Sequence, residues 1–140
     1  MKPILLLLLF ILSSCVSTPT LKPFSSDGCS LFPDGNLKDR NLWCQCCVIH
    51  DVAYWQGGSE AQKAEADITF RRCIEEKTKD PRFAEFMYQS VKYGGEPFFL
   101  NWYRWGYGWD YGRGYRALSE KEKLQVAEEM EKVEVLRCPE

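Results

Sequence analysis

The sequence predicts a mainly α, disulfide-stapled domain: a pair of antiparallel helices, additional helices around them, and an aromatic-rich ribbon. Three observations carry that prediction. Four segments carry helix start or stop signals, and the first two are joined by only a few residues. Seven cysteines among 140 residues, behind an export signal, read as a disulfide framework. Between residues 102 and 115, tyrosine and tryptophan alternate with glycine and charged residues at period two, the pattern of an extended segment with one aromatic face. Otherwise the composition is that of an ordinary globular chain, 45% hydrophobic and 27% charged, with the length of one domain. A net charge of −2 without a basic stripe leaves nucleic acid no electrostatic footprint.

The chain starts MKPILLLLLFILSSC. Lys2 and the apolar run from Ile4 to Leu12 fit a secretory signal peptide over residues 1–14. The run is too short for a membrane-spanning helix, which takes about 20 residues. Leu12-Ser13-Ser14-Cys15 resembles the bacterial lipobox. The resemblance implies cleavage before Cys15 and acylation of the protein there with palmitate-like chains. Val16 after the cysteine implies a lipid-anchored place in the cell envelope, at the outer membrane. With Cys15 set aside, six cysteines remain: Cys29, Cys44, Cys46, Cys47, Cys73 and Cys138. Their spacing alone does not choose among the possible pairings. Residues 15–26 are polar with two prolines and read as a lipidated tether, leaving 27–140 as the domain.

Residues 27–39, DGCSLFPDGNLKD, hold two Asp-Gly pairs and a proline, so they read as a structured loop. A first helix is expected from about Arg40 to Trp55, stopped by Gly57 and Gly58. Ser59-Glu60-Ala61-Gln62 opens the second with a capping box, and it runs to about Lys77. Asp80-Pro81 opens the third, a cap followed by proline in the first turn; Gly94 and Gly95 close it. Ser119-Glu120-Lys121-Glu122 opens the fourth. Its charged face is expected in solvent, with Leu124, Val126 and Val133 turned inward. The aromatic segment suits either a lipid interface or the core, and the area its rings can bury favours core.

The stretch CQCCVIHDVAY, residues 44–54, holds the only histidine of the chain. On a helix, His50 and Tyr54 share a face. Asp51 lies one step round, about 100° away, so one cleft can meet both His50 and Asp51. Asp67 sits among apolar neighbours on the second helix and needs a partner, because an unpaired buried charge is costly. His50 is that partner. A carboxylate holding one imidazole nitrogen leaves the other as a base. Asp51 beside a carbonyl-rich loop suits a hard cation such as Ca2+. Cys44, Cys46, Cys47 and His50 could bind zinc by ligand type, but neighbouring cysteines in an exported chain favour disulfides. CxCC is also not the redox CxxC.

CCVIHDVAY resembles the CCxxHDxxY helix of the secreted phospholipase A2 superfamily, over roughly residues 27–73. The resemblance implies a phospholipase A2-like esterase acting on a membrane glycerophospholipid at the sn-2 acyl ester. His50 would activate water, and Asp67 and Tyr54 would hold the imidazole. Asp51 and the carbonyls of Gly28, Ser30 and Phe32 would bind calcium. It further implies the pairs Cys29–Cys47 and Cys46–Cys73, leaving Cys44–Cys138. A cysteine pair that most members carry falls here on Ala53 and Ala66, so both halves are absent together. The glycine-rich calcium loop is replaced by DGCSLFPDG, and no hairpin insert separates the two helices. In that short connection and the HDxAY spelling the chain is similar to the compact viral-capsid members. The alternative expectation is a non-catalytic envelope lipoprotein that uses the fold as a binding or structural module.

Overall fold

The structure, a computed structural model, describes residues 19–133 and 136–138. The signal peptide and Cys15 lie outside the described residues. Four helices form: α1 (Cys44–Gln56), α2 (Glu60–Thr78), α3 (Pro81–Gly94) and α4 (Glu120–Glu131), with no strand among the described residues.

Local signals set most of the helix ends. Ser59 and Gln62 exchange the two hydrogen bonds of a capping box at α2, and Ser119 and Glu122 do the same at α4. Each satisfies backbone donors that a helix start leaves open, an effect worth about 1 kcal/mol. Asp80 accepts from the N–H groups of Arg82 and Phe83 ahead of Pro81 in α3. The start of α1 is different. Residues 40–43 form a turn, and the helix begins at Cys44 rather than near Arg40. Trp43 explains the delay, because it is tied back to the preceding loop. Its N–H donates to Asp34 O (3.1 Å) and its indole to Pro33 O (2.7 Å).

The first two helices are antiparallel. Cys46 bonds Cys73, His50 meets Asp67, and the Lys63 ammonium lies over the Tyr54 ring. As the α1 partner advances along the chain, the α2 partner retreats. α2 also packs on α3, and Trp43, Phe70, Ile74, Ala84 and Met87 fill the core between these elements. Three disulfides close: Cys29–Cys47, Cys46–Cys73 and Cys44–Cys138. None of the α1 cysteines therefore keeps a thiol for zinc or for redox exchange.

Residues 102–115 fold as a chain of turns, not as an extended ribbon. Glycines at positive φ bend them: Gly106 at 75°, Gly112 at 85° and Gly114 at 65°. The segment caps the end of α1. Gly106 N–H donates to Tyr54 O (2.6 Å) and Gly108 N–H to Trp55 O (3.0 Å). The Trp109 indole donates to Gln56 O (2.8 Å) and the Trp105 indole to Gly58 O (2.9 Å). The last carbonyls of a helix have no partner within it, and here the aromatic segment supplies those partners. The approach is close: a Cβ built on Gly57 would stand 2.9 Å from Gly106 Cα.

A second, smaller core gathers Leu21, Trp55 and Trp109. Residues 21–26, assigned from composition to the tether, lie against it. Lys22 N–H donates to Gly108 O (2.8 Å), and the Trp55 indole donates to Lys22 O (2.8 Å). Tyr107 hydroxyl donates to Ser25 O (2.6 Å). Two apolar residues, Leu21 and Phe24, bracket Pro23 and give this stretch its grip. On α4, Val126 turns toward this core, whereas Leu124 is 65% exposed, against expectation. No helix among the described residues is long and apolar enough to cross a membrane.

Candidate active site

The loop 27–35 is drawn to α1 by the Cys29–Cys47 bond, one helical turn before His50. Cys29 N–H donates to the Asp34 carboxylate (2.7 Å), and Phe32 N–H donates to Cys29 O (2.9 Å). A Cβ on Gly28, which has φ 77°, would stand 2.3 Å from Asp34 Oδ1. Only glycine fits that corner.

His50 and Asp67 meet in the buried seam between α1 and α2, with Nε2 2.9 Å from Oδ1. Three groups serve the Asp67 carboxylate. His50 is one. Tyr54 donates its hydroxyl to the same oxygen (2.7 Å), with Val91 O 3.1 Å from that hydroxyl. Lys63 donates to Oδ2 (2.9 Å) and to Lys92 O (3.0 Å). Burial works against charge on Asp67, but the hydrogen bonds from His50, Tyr54 and Lys63 hold its pKa below the ordinary value. Burial pulls the His50 pKa down, with Asp67 opposing, so the imidazole is neutral at pH 7. An ionised carboxylate can only accept. Nε2 therefore carries the proton, and Nδ1 keeps a free lone pair. Burial and Asp67 beside it push the Tyr54 pKa up, so that hydroxyl stays protonated. Phe70 and Tyr54 flank the imidazole, with ring centroids 4.6 Å and 4.1 Å away.

Asp51 faces the other way, toward the loop. Ser26 Oγ donates to it (2.6 Å). Burial, with Asp27 and Asp34 nearby, raises its pKa to about 7 despite that hydrogen bond. Among the described residues no basic side chain pairs with it, and no three His, Cys, Asp or Glu side chains gather as a metal cluster. A cation here would depend on backbone oxygen. The carbonyls of Gly28, Ser30 and Phe32 accept no hydrogen bond from the described residues, while Cys29 O and Pro33 O are engaged. A carboxylate without a basic partner and carbonyls that accept no hydrogen bond are oxygen donors of the kind calcium takes, and they line one cavity.

Two cavities flank these residues. One, of about 270 Å³, is bordered by His50, Asp51, Tyr54 and the loop 28–32, and walled by apolar side chains such as Phe70 and Met87. The other, of about 490 Å³, is more polar and lies between residues 22–30 and the aromatic segment. Ser30, Asp51 and Tyr103 border both. The structure thus gathers His50, Asp67 and Tyr54 into one hydrogen-bonded group, and sets Asp51, Gly28, Ser30 and Phe32 on the wall of the same cavity. Two further residues belong to the site. Lys63 was legible as an i,i+4 partner of Asp67. Ser26 reaches Asp51 across 25 positions and carries no local signal. Comparison with protein-family models, with curated proteins and with solved structures finds no match to this chain.

Proposed function

We propose that the protein hydrolyses an acyl ester of membrane glycerophospholipids, at sn-2 by resemblance, with calcium as cofactor and His50 as general base. The observation that carries this reading is the joint placement of a neutral, oriented imidazole and an under-compensated carboxylate on one partly apolar cavity. Asp67, held by Tyr54 and Lys63, fixes the ring through Nε2 and stabilises the imidazolium formed when Nδ1 takes a proton from water. That water attacks the ester carbonyl, the acyl C–O bond then breaks to release the fatty acid, and the imidazolium returns its proton to the departing glycerol oxygen, so no covalent enzyme intermediate is needed. Asp51 with the carbonyls of Gly28, Ser30 and Phe32 would hold calcium, which when bound supplies positive charge for the ester oxyanion and the lipid phosphate. Phe70, Met87 and Val91 offer an apolar wall for an acyl chain. The lipid anchor at Cys15 would keep this site at the envelope membrane, probing its phospholipid.

Titrating fatty acid released from phospholipid micelles by the full chain tests this reading. Hydrolysis is expected only with calcium. His50→Gln should lower kcat by about 10²–10⁴-fold, and Asp51→Asn should abolish the calcium-dependent hydrolysis, both with unchanged circular dichroism. Full turnover in His50→Gln would overturn the reading. Folded protein that never hydrolyses phospholipid would favour the binding or structural module instead.

A further inference from the structure

The polar cavity contains a charge that the proposed hydrolysis does not use. Arg104 is 3% exposed and lines this cavity. Its guanidinium lies 4.1 Å from the Tyr111 ring centroid. One hydrogen bond, from Nη2 to Trp109 O (2.8 Å), serves a group with five donors. Nε has no partner, which is equally true of Arg113 Nε; what sets Arg104 apart is that no carboxylate among the described residues pairs with it. Asp110, whose charge reaches Arg104, is exposed and pairs with Lys22 (3.4 Å). Arg113 is the internal contrast. It too is buried and stacked on an aromatic ring, Trp109, but it holds Glu122 through two bonds of 2.6 and 3.0 Å. A buried cation normally has such an acid, since an uncompensated one is costly. Arg104 is instead among the residues that line a cavity large enough for a small polar ligand.

The sign of that ligand follows from what else lines the space. Asp27 is already engaged, by Ser30 Oγ (2.7 Å) and the Trp102 indole (3.3 Å). Asp51 belongs to the calcium set proposed above. Lys22 stands at the exposed rim, where its solvent-screened pair with Asp110 (3.4 Å) leaves it able to turn to a ligand. A cationic group such as choline would meet Arg104 and a bound calcium ion, and be repelled by both. An anion would be drawn to Arg104 and, where calcium is bound as proposed above, to that ion as well, which offsets the Asp27 and Asp51 carboxylates on the same wall. We infer that the cavity between Lys22 and Tyr111 is the head-group subsite, in which Arg104, with Lys22 at the rim, binds the anionic phosphate ester of a lipid head group. The two cavities then divide an amphiphile: acyl chain beside Phe70 and Met87, phosphate beside Arg104, with the ester at the shared wall of Ser30, Asp51 and Tyr103.

This subsite rests on the hydrolytic reading for the identity of the lipid and for the calcium ion at Asp51, and its test uses no turnover. The full chain, in detergent and calcium, is titrated calorimetrically with sn-glycerol 3-phosphate, inorganic phosphate and choline. The glycerol ester should bind more tightly than inorganic phosphate, and choline should give no signal. Arg104→Met should weaken the ester by about tenfold or more, the scale of a lost charge-assisted bond, and Arg104→Lys should recover part of it. A turn strut to Trp109 O alone would leave these affinities unmoved. Lys22→Gln, at an exposed position that does not threaten the fold, should weaken the ester to a smaller degree. Unchanged affinity in both Arg104→Met and Lys22→Gln overturns the subsite, as does binding of choline. Inorganic phosphate bound as tightly as the ester overturns its assignment to a lipid head group. Repeating the titration with His50→Gln separates the two ideas, because ester binding that survives there stands whether or not the wild type hydrolyses lipid.

Discussion

Two halves of the molecule meet along α1 and are held by different bonds. On the α2 and α3 side the staples are covalent: Cys46–Cys73 joins the helix pair and Cys29–Cys47 brings in the loop. On the side of residues 21–26 and 102–115 no cystine occurs among the described residues. There the indoles of Trp55, Trp105 and Trp109 each donate to a backbone carbonyl across at least 33 positions. The first half depends on oxidation for its two staples. The second is indifferent to redox state and depends on the fit of large rings against glycine. The candidate site draws on both, with His50 and the loop on the cystine side and Arg104 on the tryptophan side.

The contrast can be broken from either side. The largest effect is expected at Trp109, which is 1% exposed. Trp109→Ala should cost about 4 kcal/mol in urea unfolding, and a loss below about 1 kcal/mol would end the view that the aromatic turns hold α1. Replacing Cys46 and Cys73 with serine should cost about 3.5 kcal/mol by chain entropy, given a separation of 27 residues. A reductant should then produce no further loss at that bridge. Next comes the ion pair behind Trp109, where Glu122→Gln should cost about 3 kcal/mol.

Acid sharpens the same point. Hydrogen bonds from Arg113, against the opposing effect of burial, lower the Glu122 pKa from 4.5 to about 2. The pKa is depressed in the folded state, so its contribution is complete above about pH 4.5 and is lost as pH falls toward about 2. Melting temperature should decline across that window in the wild type and decline less in Glu122→Gln; parallel curves would remove Glu122 from the acid response. The smallest change is Trp109→Phe, which keeps an aromatic ring but loses part of the indole and its bond to Gln56 O, at about 1–2 kcal/mol by denaturant titration.

What the sequence disclosed divides along the same line. The caps of α2, α3 and α4 were legible because Ser59, Asp80 and Ser119 act on residues two or three positions away. The total of three disulfides followed from parity. The period-two spacing at 102–115 was misleading. The same alternation arises when aromatic rings are separated by glycines that turn the chain, and the carbonyls awaiting those turns lie on α1, some 50 residues earlier. The start of α1 was misjudged for a related reason, since Trp43 answers to Asp34 and Pro33 in the loop. In the site, His50 and Asp67 were legible from one lone histidine and one misplaced acid. Arg104 was not, because its lack of an acidic partner is a property of space and not of spacing.

The contact of Gly57 with Gly106 links two ends of this problem. A methyl group gained at position 57 would push the 105–109 turn outward, unseat Trp109 from the helix end and tilt Arg104 with it. Sequence drift at a spot without chemistry of its own would thereby reach the proposed head-group subsite, and a compensating change within the turn would be needed to reseat Trp109.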